Sequence, residues 1–385
     1  MYQALALLVY AVALMIASRN IRGIIDSVRA NPATFLLVGL ALSSALWSVQ
    51  PWITMRRAIA LLGTTLFGLC LGLRLSTRQL LVLVIGVATV CALGTMIVTP
   101  LNLEGAVHVG SPHDGSWRGL FTHRSGLGVT MMLGLAGIVM LSVHDGRVHL
   151  PALLSAVALA GPLWLSQSAT AILISSALLA CLPVLLVMSR GRFSIGLMVL
   201  IGSVILGTGI ALVVTQIDSV LAVVGRDQTL TGRVFLWSEL LGRLHAERPL
   251  LGYGFAAYFY DLGTRASVQS WAPSYAHNGL LEVMVDLGYL GALLAVASLS
   301  TLVWQAQRMI RSDRRSIWQL VFIAMIVLLN VPDSQFLAHN NLFWALVVTV
   351  GVTTAKRRRS SRGSMPRAST HRPSRAGIAT APSRI

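Results

Sequence analysis

Ser274-Tyr275-Ala276-His277-Asn278-Gly279-Leu280-Leu281-Glu282 is where a long polar stretch gives way to an apolar run that continues to residue 304. An apolar run of that length is a membrane-span candidate. Asn278, at its mouth, is a residue type that caps helix N-termini by accepting a backbone N–H. His277, directly before it, has an ordinary pKa near neutrality and can take up a proton at physiological pH. Glu282 and Asp286 follow at i,i+4 spacing on one face of the first turns. Acids at that depth are costly and so mark function, often with arginine as partner.

The rest of the chain is scaffold for such a junction. Of 385 residues, 55% are hydrophobic and only 11% charged, whereas a soluble domain is about a quarter charged. The chain is therefore expected to be all-α and polytopic in the membrane. Spans of about 20 apolar residues fall near 2–18, 34–49, 57–73, 79–98, 126–143, 150–165, 169–189, 194–214, 279–304, 317–331 and 336–354, eleven in all within a range of ten to twelve. The pair across 150–189 reads as two tilted helices broken at Ser166–Ser168 or as a re-entrant pair. Tyr2–Ser18 lacks a charged flank and a cleavage site and reads as a span rather than a removable signal. Six regions follow: N-terminal helices 1–98, a first loop 99–125, central helices 126–214, a large loop 215–278, C-terminal helices 279–355 and a basic tail 356–385.

Charge orients the bundle. The net charge is +17, which in a soluble chain would suggest nucleic acid, but here the arginines sort by side. Arg19, Arg22, Arg29, Arg74, Arg78, Arg147, Arg190, Arg192, Arg308, Arg311, Arg314 and Arg315 fall in the connections on one side, with the run Lys356-Arg357-Arg358-Arg359 just after the last span. Short basic loops stay cytoplasmic, so that side and the tail are cytoplasmic and both long loops face out. An odd number of spans then leaves the N-terminus outside. From Ser360 the tail is rich in Ser, Arg, Pro and Ala, lacks apolar periodicity and is expected to be disordered, touching anionic head groups. No nucleic acid partner is expected.

Within the large loop, residues 232–246 carry apolar positions 234, 237, 241 and 244, one face of an amphipathic helix, with Glu239 and Arg243 as an i,i+4 pair. Pro249 ends it, and Gly252 with Gly254 marks a turn. The first loop ends Ser116-Trp117-Arg118-Gly119-Leu120-Phe121-Thr122-His123-Arg124-Ser125-Gly126.

Chemistry at such a boundary needs cations for an anionic group and a base for a hydroxyl. Arg118 and Arg233 are the candidate cations, because a guanidinium can grip phosphate with two hydrogen bonds. His277 is the candidate base, and His123, beside Arg124, a substrate-positioning group. Arg56, Arg57, Arg226 and Arg265 read as head-group anchors, and His339 as an interfacial polar residue. Cys70, Cys91 and Cys181 lie in apolar runs without metal or disulfide spacing. No metal site, nucleotide-binding glycine loop or cofactor is indicated, so a reaction would draw on an already activated donor.

The string Trp117–Ser125, Thr-Leu-Thr-Gly-Arg at 229–233, Pro-Leu-Leu-Gly-Tyr-Gly at 249–254 and Ala-His-Asn…Leu-Glu at 276–282 together resemble the O-antigen ligase and polymerase superfamily, closest to its exopolysaccharide polymerase branch. The resemblance is sharp over about 115–295 and departs at Ser125, where relatives often carry Asn. It implies a metal-independent, inverting glycosyltransferase of the inner membrane, working on the periplasmic face. Its donor would be an oligosaccharide on undecaprenyl diphosphate, its acceptor a glycan or lipid, and its partners other polysaccharide-export proteins. Arg118 and Arg233 would hold the diphosphate and His277 would activate the acceptor. His123, Arg124, Tyr253, Asn278 and Glu282 would complete the substrate site. Polymerisation of exopolysaccharide or O-antigen repeat units is the expected activity. A ligase transferring glycan to lipid A-core or protein shares the chemistry. A transporter or flippase would instead place ionisable groups on broken helices near the midplane, where this chain is nearly uncharged.

Overall fold

A computed structural model describes residues 2–101, 105–110, 114–190, 202–203, 207, 233–260 and 275–363; the side chains of 2–8, 233–235 and 357–363 are outside the description. Among the described residues the chain is helical, with one isolated bridge between Val107 and Trp117 as the only β pairing. The helices are α1 (Tyr2–Ser18), α2 (Ile21–Ala30), α3 (Pro32–Ser43), α4 (Pro51–Arg74), α5 (Thr77–Val98), α6 (Arg124–Asp145), α7 (Leu150–Leu165), α8 (Ala169–Ser189), α9 (Arg233–Glu247), α10 (Gly279–Ser312), α11 (Ile317–Leu329) and α12 (Leu342–Gly363). Five of them, α4, α5, α6, α8 and α10, are long and apolar enough to cross a membrane, and a sixth span arises if α2 and α3 count as one. Shorter apolar helices include α7 and parts of α1 and α12.

α6 is the axis of the core. Every residue from Met131 to Val143 on it is buried, because α5, α7, α8 and α11 pack around it. α4 lies against α12 through small residues: a Cβ on Gly72 would stand 2.6 Å from Cβ of Val352, and the Thr349 hydroxyl donates to the Gly68 carbonyl at 2.9 Å. Small residues let backbones approach where the hydrophobic effect cannot drive helices together. Ser76 and Gln79 form a reciprocal capping box at the start of α5.

Several sequence expectations shift. The apolar reading of 34–49 ends early: α3 passes into a short 3-10 turn at Ser44–Leu46, leaving Trp47–Gln50 as a connection. The last span begins at Leu342, so residues 330–341 form a loop, and α12 runs helical to Gly363, past the Ser360 at which disorder is expected from composition. The span near 194–214 and residues 364–385 lie outside the described residues, apart from 202–203 and 207. The break at Ser166–Ser168 separates two full helices, α7 and α8. α2 has no counterpart among the expected spans; it is amphipathic, meets α3 at 100° and carries Ile21, Ile24, Ile25 and Val28 at helical spacing.

Because successive long helices reverse direction, their connections fall at two ends. One end carries basic links: Lys356 donates to the Leu73 carbonyl at 3.1 Å, and Arg78 pairs with Asp145 at 3.2 Å. The other, the loop end, gathers residues 47–50, the first loop, the α7–α8 turn, α9 and residues 330–341.

Candidate functional site

α10 governs the loop end. Gly288 breaks it with φ 69 and ψ −169, a conformation essentially restricted to glycine. Residues 289–312 alone reach about 36 Å, enough for a hydrocarbon core of about 30 Å. The short piece before the break carries Glu282 and Asp286.

A break inside a helix strands backbone groups, each costing about 1–3 kcal/mol if buried without a partner. The Pro249–Gly254 segment supplies the partners. Pro249 and Leu250 carbonyls accept from Tyr289 and Leu290 N–H at 2.8 and 3.3 Å, while Tyr253 and Gly254 N–H donate to the Val285 and Asp286 carbonyls at 2.9 Å each. Such contact excludes side chains: a Cβ on Gly252 (φ +65) would lie 2.6 Å from the Asp286 carbonyl carbon. The Gly-Tyr-Gly run is thus a strap that mends the helix. Its far face is held by the α3–α4 connection, where Trp47 Nε1 donates to Leu251 O at 2.9 Å, Arg248 donates to Trp47 O at 2.8 Å and Val49 N–H donates to Tyr253 O at 2.9 Å.

α9 lies over this strap. The Glu239–Arg243 pair forms as expected, at 3.0 Å. Of the expected apolar face, Leu244 is buried and Trp237 packs half-buried against the same cluster, Leu241 is exposed, and residue 234 lies outside the described side chains, while Leu236 and Leu240 complete the buried stripe. The stripe is set by packing on Tyr253, Tyr258, Phe259, Ala276, Leu281 and Val285. Trp237 Nε1 donates to Ala276 O at 2.8 Å, tying α9 to the histidine junction. Tyr253, expected to face substrate, is buried and donates to Glu247 at 2.7 Å; burial first, then that hydrogen bond, raises its pKa.

The histidine junction is built as the capping residue predicts. Asn278 Oδ1 accepts from Leu281 N–H at 3.0 Å, and its amide donates to Val331 O at 3.2 Å. His277 sits at φ +54, its ring 3.9 Å from that of Tyr275. Glu282 is turned back onto this loop and accepts from Ala276 N–H at 2.5 Å and from the Ser334 hydroxyl at 3.4 Å. Asp286, 4% exposed, lies one turn deeper.

Arg57 of α4 arrives at the same place. It donates to the Ala256 carbonyl at 2.8 Å, stacks on Tyr260 at 3.6 Å and lies within electrostatic reach of Glu282, Asp286 and His339. It is therefore not the head-group anchor that its place in the sequence suggests. His339, in the 330–341 loop, faces Phe255; burial, then Arg57 and Arg56, lowers its pKa to about 4, so it is neutral at physiological pH.

The first loop forms a second cluster at this end. Arg118 donates to Gly105 O and, at 3.3 Å, to Thr122 O, so its guanidinium braces its own loop. His123 caps α6, accepting Ser125 N–H at 3.2 Å, and meets His108 edge-on at 5.0 Å. Burial, then Arg118 and Arg124, lowers the His108 pKa. Arg124 donates to Gln167 O at the α7–α8 turn. Arg233 opens α9, but its side chain and the preceding Thr229–Gly232 lie outside the described residues. No described group of three or more His, Cys, Asp or Glu is arranged to hold a metal.

Fold and site define an integral membrane protein with a cluster of polar, titratable residues at the loop end of a helical bundle. Comparison with known proteins agrees with the resemblance carried by the motifs. A family model described as O-Antigen ligase matches residues 154–296, from α7 through the break in α10. The exopolysaccharide production protein ExoQ of Rhizobium meliloti is 26% identical over 341 residues, covering 81% of this chain and 74% of that protein. The chain is similar to both.

Proposed function

We propose that this protein is a membrane glycosyltransferase that polymerises undecaprenyl-diphosphate-linked repeat units into exopolysaccharide or O-antigen. The observation that carries the reading is the meeting of the strap, the histidine junction and Arg57 at the loop end, the end that also holds the cluster of Arg118, His123 and Arg124. In the reaction, the acceptor hydroxyl attacks the anomeric carbon of the donor with inversion. The carbon–oxygen bond to the diphosphate breaks, His277 takes the hydroxyl proton and undecaprenyl diphosphate leaves. Arg118 and Arg233 stabilise its growing charge, and that electrostatic stabilisation lowers the barrier more than removal of the proton does. No metal takes part.

In this reading the loop end, with its two long loops, faces the periplasm, and the tail lies in the cytoplasm beneath the inner membrane. The basic links at the opposite end support that orientation. Cysteines introduced at 265 and at 365 test it: in intact spheroplasts an impermeant maleimide should label only the first, and the reverse pattern overturns periplasmic chemistry. Incubation of purified protein with the lipid-linked repeat unit tests the reaction. Longer glycans on the same lipid support polymerisation, glycan transferred only to an added lipid or protein acceptor makes the protein a ligase, and no transfer to either refutes both.

A further inference from the structure

Arg57 belongs to none of the motifs, yet it closes a chain of contacts ending at His277. Ala256, held at φ +53, is engaged on both sides: its carbonyl accepts from Arg57 at 2.8 Å, and its N–H lies within electrostatic reach of the Asp286 carboxylate. Asp286 Oδ1 has no hydrogen-bond partner among the described residues. One turn nearer the junction, Glu282 holds the Ala276 N–H, adjacent to His277. The two carboxylates are i,i+4 neighbours that repel each other, with Asp333 adding to the repulsion on Glu282, and Arg57 is the cation acting on both.

Removing one member of a buried charge network costs more than removing the pair, because the survivor is left uncompensated. We propose that Arg57, Asp286 and Glu282 are positioning residues that hold the Ala276–His277 turn in its reactive setting, Arg57 acting on Asp286 through the Ala256 peptide. The clamp explains how His277 keeps a left-handed backbone, and why two acids stand on α10 just before its break. It rests on the role of His277 proposed above, but its geometry can be tested without that role.

The test compares wild type, R57K, R57Q, D286N and R57Q/D286N as purified full-length protein. Turnover of the lipid-linked repeat unit is measured beside hydrogen exchange of the peptide containing Ala276. R57Q should lower kcat at least tenfold with KM for the donor within twofold, and speed Ala276 exchange at least tenfold. R57K, which keeps the cation, should recover part of both. R57Q/D286N should return to within threefold of D286N alone, since the deeper of the two charges that Arg57 offsets is gone and Glu282 keeps its hydrogen bonds to Ala276 and Ser334. Wild-type kcat and exchange in R57Q, or additive losses in the double variant, overturn the clamp. If R57Q does not accumulate, the clamp requires that R57Q/D286N does, and a double variant that also fails to accumulate refutes it. If wild-type protein elongates nothing, the proposed function falls while the exchange measurement still decides the clamp.

Discussion

Two histidines stand at helix starts on the loop end, and the structure uses them differently. His123 is itself the cap of α6, its ring nitrogen taken by the Ser125 N–H. At α10 the capping falls to Asn278, and His277 is set one residue back, in a left-handed conformation beside Tyr275. The same residue type at the same kind of junction is structural where it must cap and is relieved of that duty where a neighbour caps for it. The surroundings differ likewise. The first-loop arginines donate to nearby carbonyls, whereas the His277 junction is braced from α4, α9, the strap and the 330–341 loop.

This contrast can be broken by substitution. His277→Ala should lower turnover about 10²–10⁴-fold if the ring is a general base, while His123→Ala should mainly cost a helix cap, about 1 kcal/mol of stability. Equal losses of turnover at matched protein levels would erase the distinction. Arg233→Lys should lose at least tenfold in activity, since a point charge cannot replace a two-bonded guanidinium; wild-type polymer yield, where the enzyme limits flux, would make Arg233 an anchor.

His339 sharpens the comparison through pH. Its value in the folded protein, about 4, lies below the ordinary value of about 6.5, so between those limits the unfolded chain binds more protons. Stability from this group is complete above about pH 6.5 and declines as pH falls toward 4, by on the order of 3 kcal/mol. Thermal melts of His339→Gln in detergent should be flatter across that window, and an unchanged slope would contradict the burial. The smallest effect is expected for His123→Asn, which supplies another good capping side chain: turnover within threefold of wild type, checked in the same assay.

The helical, membrane-spanning character of the scaffold was legible in the sequence because apolar length acts locally. Asn278 as a cap and the Glu239–Arg243 pair were legible for the same reason, their partners being a few residues away. The strap was not. Gly252 and Gly254 announce a turn, but their purpose appears only against the broken backbone at Gly288, and a glycine inside an apolar run does not announce a break. Arg57 was illegible because its partner, Ala256, lies 199 residues away. The buried face of α9 was legible only in part: Trp237 and Leu244 belong to it as expected, but Leu236 and Leu240 join it and Leu241 is exposed, because the helix packs on the strap and the histidine junction. α2 did leave a signal, isoleucines at helical spacing between arginines, in a stretch too short and too charged to read as a span.

The most direct measurement is turnover of purified His277→Asn on the undecaprenyl-diphosphate repeat unit, run beside donor binding. Asparagine tolerates a left-handed backbone far better than most residues, so this variant removes the imidazole while sparing the turn. The account predicts donor binding like that of wild type and turnover reduced at least a hundredfold. Normal turnover with normal binding would contradict it and leave the arginines as the catalytic groups.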